Sequence, residues 1–125
     1  MKHYTADSAA ADLATAIGLV DGRWKLLILF HLFGGQVQRY SDLEKRIPGV
    51  SQKMLAQQLR QLEADGLITR TVYPKVPPRV DYRLTGWGQS LCPALEGLLQ
   101  WLERRAPDER GAAAQLPTST NTGLE

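Results

Sequence analysis

The chain has one cysteine, Cys92, and two histidines, His3 and His31. A lone thiol cannot form an internal disulfide, which suits a reducing cytoplasm. There is no Cys-x-x-Cys or His-x-x-x-His pair, so the usual zinc spacings are absent and no metal or cofactor is expected. A P-loop and a dinucleotide fingerprint are also missing, and Glu63 and Asp65 only close a helix rather than forming a carboxylate pair for acid–base work. The expectation is a protein that is not an enzyme. No apolar stretch approaches the roughly 18 residues of a membrane span. The longest, Leu26 to Phe33, is broken by His31 and reads as a buried helix. Lys2 is not followed by an apolar run with a cleavage site, which argues against secretion and for a cytoplasmic protein without a membrane partner.

What is present fits one domain. A length of 125 residues supports a real core but not two comfortable ones. Net charge is only +2, yet it is unevenly spread. Between Gln36 and Arg83 nine Lys/Arg face five Asp/Glu, so this segment carries +4 and the remainder is slightly acidic. A modest basic bias of this kind is what an electrostatic footprint for DNA requires.

The periodicities divide the chain further. Residues 1–7 are expected to be disordered, 8–105 to form the folded domain, and 106–125, without periodicity after Pro107, to be a disordered tail. Leu13, Ile17 and Val20 predict an amphipathic helix from Ser8, and Asp21 is a plausible cap for the next, Arg23 to about Phe33, which is apolar nearly all round. Ser41 and Glu44 have capping-box spacing, with Leu43 and Ile47 facing the core and Pro48-Gly49 ending the helix. Ser51 caps a longer helix to about Ala64, on which Leu55, Leu59 and Leu62 form one stripe. Leu67–Tyr73 and Arg79–Leu84 read as two strands around a proline-rich loop. Thr85 caps a last helix to about Arg105.

This order of elements is α+β, mostly α: a winged helix-turn-helix with extra N- and C-terminal helices. In such a unit the second helix enters the major groove, led by its N-terminal turn. Its exposed face presents Gln52, Lys53, Gln57 and Arg60; glutamine pairs with adenine, and lysine or arginine with guanine. Amides near Ser51 face outward for a phosphate oxygen. Lys75 and Arg79 flank the wing, where cations follow phosphates or enter a minor groove.

The residues from Gly22-Arg23-Trp24-Lys25 through Arg39-Tyr40-Ser41-Asp42-Leu43 and Ile47-Pro48-Gly49-Val50-Ser51-Gln52-Lys53 resemble the HxlR family of winged-helix transcriptional regulators. The match continues through Leu62-Glu63-Ala64-Asp65-Gly66-Leu67 to Val76-Pro77-Pro78-Arg79-Val80-Asp81-Tyr82 and covers about residues 10 to 105. The resemblance implies a cytoplasmic homodimer on double-stranded DNA with a pseudo-palindromic operator, and Arg39 in its motif joins the candidate DNA-binding residues. It also implies dimer contacts from the first and last helices: Leu13 and Ile17, then Leu91, Leu95, Leu98, Leu99, Trp101 and Leu102. The last helix is too broadly apolar for a solvent-facing tail.

The chain departs from the family in two places. Many HxlR-like regulators resemble thiol sensors with a cysteine before the first helix; here that position is about Ala10, so sensing there is excluded. Cys92 reads instead as a small core or interface residue. Trp87, between Gly86 and Gly88, either packs under the wing or lines a pocket for a small-molecule effector at the dimer interface. The rival reading is a winged-helix adaptor that contacts proteins and not DNA; Lys53, Arg60, Lys75 and Arg79 speak against it.

Overall fold

The computed structural model describes residues 2–105; the tail expected to be disordered, 106–125, lies outside them. Helices α1 (Ala6–Val20) and α2 (Arg23–Leu32) lead to a short strand β1 (Gln38–Arg39), then α3 (Tyr40–Arg46) and α4 (Gln52–Ala64). Strands β2 (Ile68–Tyr73) and β3 (Arg79–Leu84) follow, then α5 (Gly86–Gln89) and α6 (Cys92–Glu103). The chain divides into two compact units, the first ending at Gln89 and the second starting at Ser90. Among the described residues no helix is long and apolar enough to cross a membrane.

In the first unit, Ile28, Leu29 and Leu32 of α2, Leu43 of α3, and Leu55, Leu59 and Leu62 of α4 are fully buried with Ile47 and Ile68. The α4 stripe is as the i, i+4, i+7 spacing predicts. The first helix of the core, α2, is not buried all round: Leu27 and Phe30 lie exposed on its outer side. Its apolar sequence therefore serves two surfaces, one buried and one exposed among the described residues.

Several boundaries differ from expectation. Helix α1 begins at Ala6 rather than Ser8, because Thr5 caps it: the Ser8 amide donates to Thr5 Oγ1 (3.1 Å) and the Thr5 amide donates to Ser8 Oγ (3.0 Å). That reciprocal pair draws Thr5 to Asp7 out of the expected disordered stretch. Asp21 does not cap α2. Gly22 holds that position with φ +116°, a backbone setting open to glycine, and Asp21 instead ends α1. Nor do Ser41 and Glu44 form the capping box. Helix α3 starts at Tyr40, and Asp42 accepts from the Arg39 amide (3.3 Å), a carboxylate at the helix N-terminus where the macrodipole favours it.

The sheet has three antiparallel strands in the order β1-β3-β2, with Gln38 opposite Tyr82, Arg39 opposite Asp81, and Tyr73 opposite Arg79. Strand β1 is only two residues long, too short to carry an alternation in the sequence. The expected last helix is broken. Thr85 caps only α5, its Oγ1 accepting from the Gly88 amide (2.9 Å) and donating to the Gly66 carbonyl (2.7 Å). An unbroken helix would set the Pro93 ring against the Gln89 carbonyl and remove its hydrogen bond, so the helix restarts with Pro93 in its first turn.

In the second unit, Leu95 of α6 is buried and Cys92 and Leu102 are half-buried, as is Leu91 just before the helix, while Leu98, Leu99 and Trp101 are exposed. Burial pushes the Cys92 thiol above its ordinary value, and Glu96 one turn on adds to the effect. That is the opposite of an activated thiolate.

Candidate nucleic-acid interface

The polar face of α4 is held outward by the opposite face. With Leu55, Leu59 and Leu62 buried, Gln52, Lys53, Gln57, Arg60 and Gln61 all stand exposed. Ser51 fixes the helix start as the sequence predicts: its hydroxyl accepts from the Met54 amide at 3.0 Å, leaving the neighbouring first-turn amides for an external acceptor. The turn before it bends at Gly49 (φ +91°), where a side chain would also approach the Trp24 ring. Trp24 of α2 thus lies against the α3–α4 turn.

One tether went unseen in the sequence. The Tyr40 hydroxyl donates to the Gln52 carbonyl (3.1 Å), joining the first residue of α3 to the first residue of α4. Burial holds the Tyr40 phenol above its ordinary value, with Glu44 adding, so it remains a protonated donor at neutral pH. No spacing rule links positions 40 and 52; only the packed turn does.

On the wing the candidate cations differ in kind. Lys75 is exposed and forms no ion pair among the described residues. Arg79 is committed: its Nε donates to Asp81 Oδ1 at 2.8 Å, and its guanidinium lies 5.7 Å from the Tyr73 ring centre. Asp81 is only 3% exposed, so Arg79 neutralises a buried carboxylate as well as facing the wing. This pair was legible, because residues i and i+2 of a strand share a face. Arg39 is exposed on β1, opposite Asp81, and its charge also favours the ionised carboxylate.

The Arg79 guanidinium holds the Asp81 carboxyl below the usual carboxylate range. In the unfolded chain a carboxyl of this kind titrates at about 3.9. The pair therefore stabilises the fold above about pH 4, and its contribution is lost as pH falls through the lower folded value. Asp81→Asn is expected to lower the melting temperature at pH 7, with the gap to wild type narrowing as pH drops from about 4 toward 2. An equal gap in thermal melts at pH 7 and pH 3 would contradict the linkage.

Between the wing loop and the β1–α3 junction lies an open groove of about 610 Å³, bordered by Arg39, Tyr40, Arg70, Lys75, Arg79 and Tyr82. Arg70, opposite Tyr82 in the β2–β3 ladder, is a second residue that spacing alone did not single out. Trp87 is 57% exposed rather than packed under the wing. Among the described residues no cluster of His, Cys, Asp and Glu could hold a metal.

A capped reading helix seated by a preceding helix and turn, beside a β-hairpin wing, defines a winged helix-turn-helix DNA-binding protein. The chain belongs to the family of HxlR-like helix-turn-helix proteins, whose model matches residues 19–110. It is 49% identical over 90 residues to the HTH-type transcriptional regulator YtcD of Bacillus subtilis, covering 72% of this chain and 71% of that one. Among solved structures it is similar to a transcriptional regulator of the MarR family from Enterococcus faecalis V583, with 31% identity, a TM-score of 0.74, and coverage of 92% of this chain and 100% of that one. It is also similar to the redox regulator HypR in its reduced form, at 36% identity and a TM-score of 0.68, over 74% and 90% of the two chains. The protein is a transcriptional regulator with a helix-turn-helix DNA-binding domain.

Proposed function

We propose that the protein acts in the cytoplasm as a homodimer that places two α4 helices in successive major grooves of a pseudo-palindromic operator. The observation that carries this reading is the outward face of α4, on which Gln52, Lys53, Gln57 and Arg60 stand exposed while the opposite leucines are buried. In the arrangement proposed, Ser51 and Arg39 meet phosphates, Lys75 and Arg79 follow the flanking backbone, and the α4 side chains meet base edges.

Support for the dimer comes from apolar side chains left in water by a single chain. Leu13 and Ile17 are 62% and 60% exposed on α1, a helix with no buried residue. On α6, Leu98 and Trp101 are 59% and 65% exposed, with Leu99 beside them. Leu91, Leu95 and Leu102 are less exposed and contribute at most the edge of that surface. Large apolar side chains exposed in number on a helix mark an interaction site. Leu98→Asp is expected to shift the protein from dimer to monomer in sedimentation at micromolar concentration, and an unchanged dimer would remove α6 from the interface.

Selection of retained sequences from random duplex DNA tests the whole reading. The expected outcome is an inverted repeat with half-sites about 34 Å apart, one helical turn. Retention without an enriched motif would mean phosphate binding alone. No retention, even at low salt, would favour the protein-adaptor alternative.

A further inference from the structure

We infer that the groove between the wing loop and the β1–α3 junction is a binding site for a small organic anion, an oxyanion carried on a flat apolar body. Its size, about 610 Å³, is within the usual range of small-molecule sites, roughly 300–1,000 Å³. Four cations border it, Arg39, Arg70, Lys75 and Arg79, and no carboxylate does. The acidic groups acting on the cluster are Asp81, buried and bonded to Arg79, and Asp42, which accepts from the Arg39 amide. That leaves the charges of Arg39, Arg70 and Lys75 without an ion-pair partner among the described residues. Three cations converging on one concavity concentrate positive potential there.

The rest of the wall says what kind of anion fits. Pro77, Pro78 and Val80 present apolar surface, and Tyr40 and Tyr82 contribute aromatic rings. A bare oxyanion would use the cations and leave that surface wet. An aromatic or otherwise planar acid would satisfy the cations with its charged end and cover the rings and prolines with its body. A DNA phosphate shares the oxyanion chemistry, so the two sources must be separated by experiment.

Occupancy would bear on the reading helix. Tyr40, in the wall, is the side chain whose hydroxyl holds the Gln52 carbonyl at the start of α4. Arg39, Lys75 and Arg79 are also cations that the proposed function assigns to DNA. An anion in the groove therefore competes with the operator for the same charges and touches the tether of the α4 N-terminus. Only this competition rests on the DNA-binding reading; the binding of the anion does not.

The test is titration of the full-length protein with sodium benzoate at constant ionic strength, followed by backbone amide shifts. Benzyl alcohol serves as the neutral analogue and inorganic phosphate as the anion without a ring. Expected are saturable shifts centred on Arg39–Ser41, Arg70 and Lys75–Val80, with half-saturation near or below about 10 mM, a plausible strength for so small a ligand. Benzyl alcohol should not saturate, phosphate should bind at least several-fold more weakly, and Arg70→Gln should weaken benzoate by about fivefold or more. Linear shifts with no saturation, equal saturation by benzyl alcohol, or phosphate binding as tightly as benzoate would each overturn the inference. The last result would leave a phosphate seat suited to DNA backbone. With the selected operator, benzoate should lower DNA affinity by its fractional occupancy of the groove; saturation without that loss would overturn the competition. Failure to recover any operator would count against the DNA reading and leave the titration standing.

Discussion

Replacing Lys53 and Lys75 together by alanine is expected to weaken operator binding by about 100-fold while leaving the fold intact. Each cation that reaches a base edge or phosphate contributes on the order of 1–3 kcal/mol, so two lost contacts amount to roughly 3 kcal/mol, or a hundredfold. The two residues lie on the two parts of the candidate interface, Lys53 in the first turn of α4 and Lys75 in the wing loop, and both are exposed. Neither makes an ion pair among the described residues, so little stability rides on them. The slope of log affinity against log salt should fall by about one unit for each phosphate contact removed. Arg79 would be the poorer choice for this test. Its removal would strand the buried Asp81 carboxylate, mixing a folding defect with a binding defect. Mobility-shift titrations at two salt concentrations, with a thermal melt as the folding control, decide the matter. Unchanged affinity in a folded double variant would shift the reading to a protein adaptor.

The largest effect on stability is expected from Leu55→Ala. Leu55 is wholly buried beneath the first half of α4, in line with Leu59 and Leu62. Truncating a core leucine removes its transfer free energy and leaves a cavity, costing about 2–5 kcal/mol. Against a total of roughly 5–15 kcal/mol for an ordinary domain, that is a large share. A fall in melting temperature of order 10 °C or more should follow, since each kcal/mol is worth about 4–8 °C at this size. Because the same leucines turn Lys53 and Gln57 outward, DNA affinity should fall as well, at temperatures where the variant still folds. A melting temperature within about 2 °C of wild type would mean that α4 is not anchored through this residue.

These two expectations draw on different levels of information. The α4 helix could be read directly: Ser51 precedes a stripe of leucines at helical spacing, and every signal lies within a turn or two of the residue it concerns. The wing strands were equally plain, bounded by Pro74 and the Pro77-Pro78 pair. The break before α6 was also written in the chain, at Pro93, but the leucine period runs through it and masks it. The start of α3 is ambiguous in the sequence, because Ser41–Glu44 has the same spacing as the pair that forms, Arg39 with Asp42. Two overlapping capping patterns differ by too little for sequence to rank them.

What the sequence alone determined is the helix-turn-helix, its wing, the outward polar face of α4 and the family resemblance. All depend on local periodicity, caps and turn residues, which act between near neighbours along the chain. Only the tertiary structure decided that Tyr40 holds the start of α4, and that Arg39, Arg70 and Lys75 border one groove. Those relations depend on the β1-β3-β2 register and on the packed α3–α4 turn. Such contacts join residues far apart in sequence, and no periodicity along a single strand or helix encodes them.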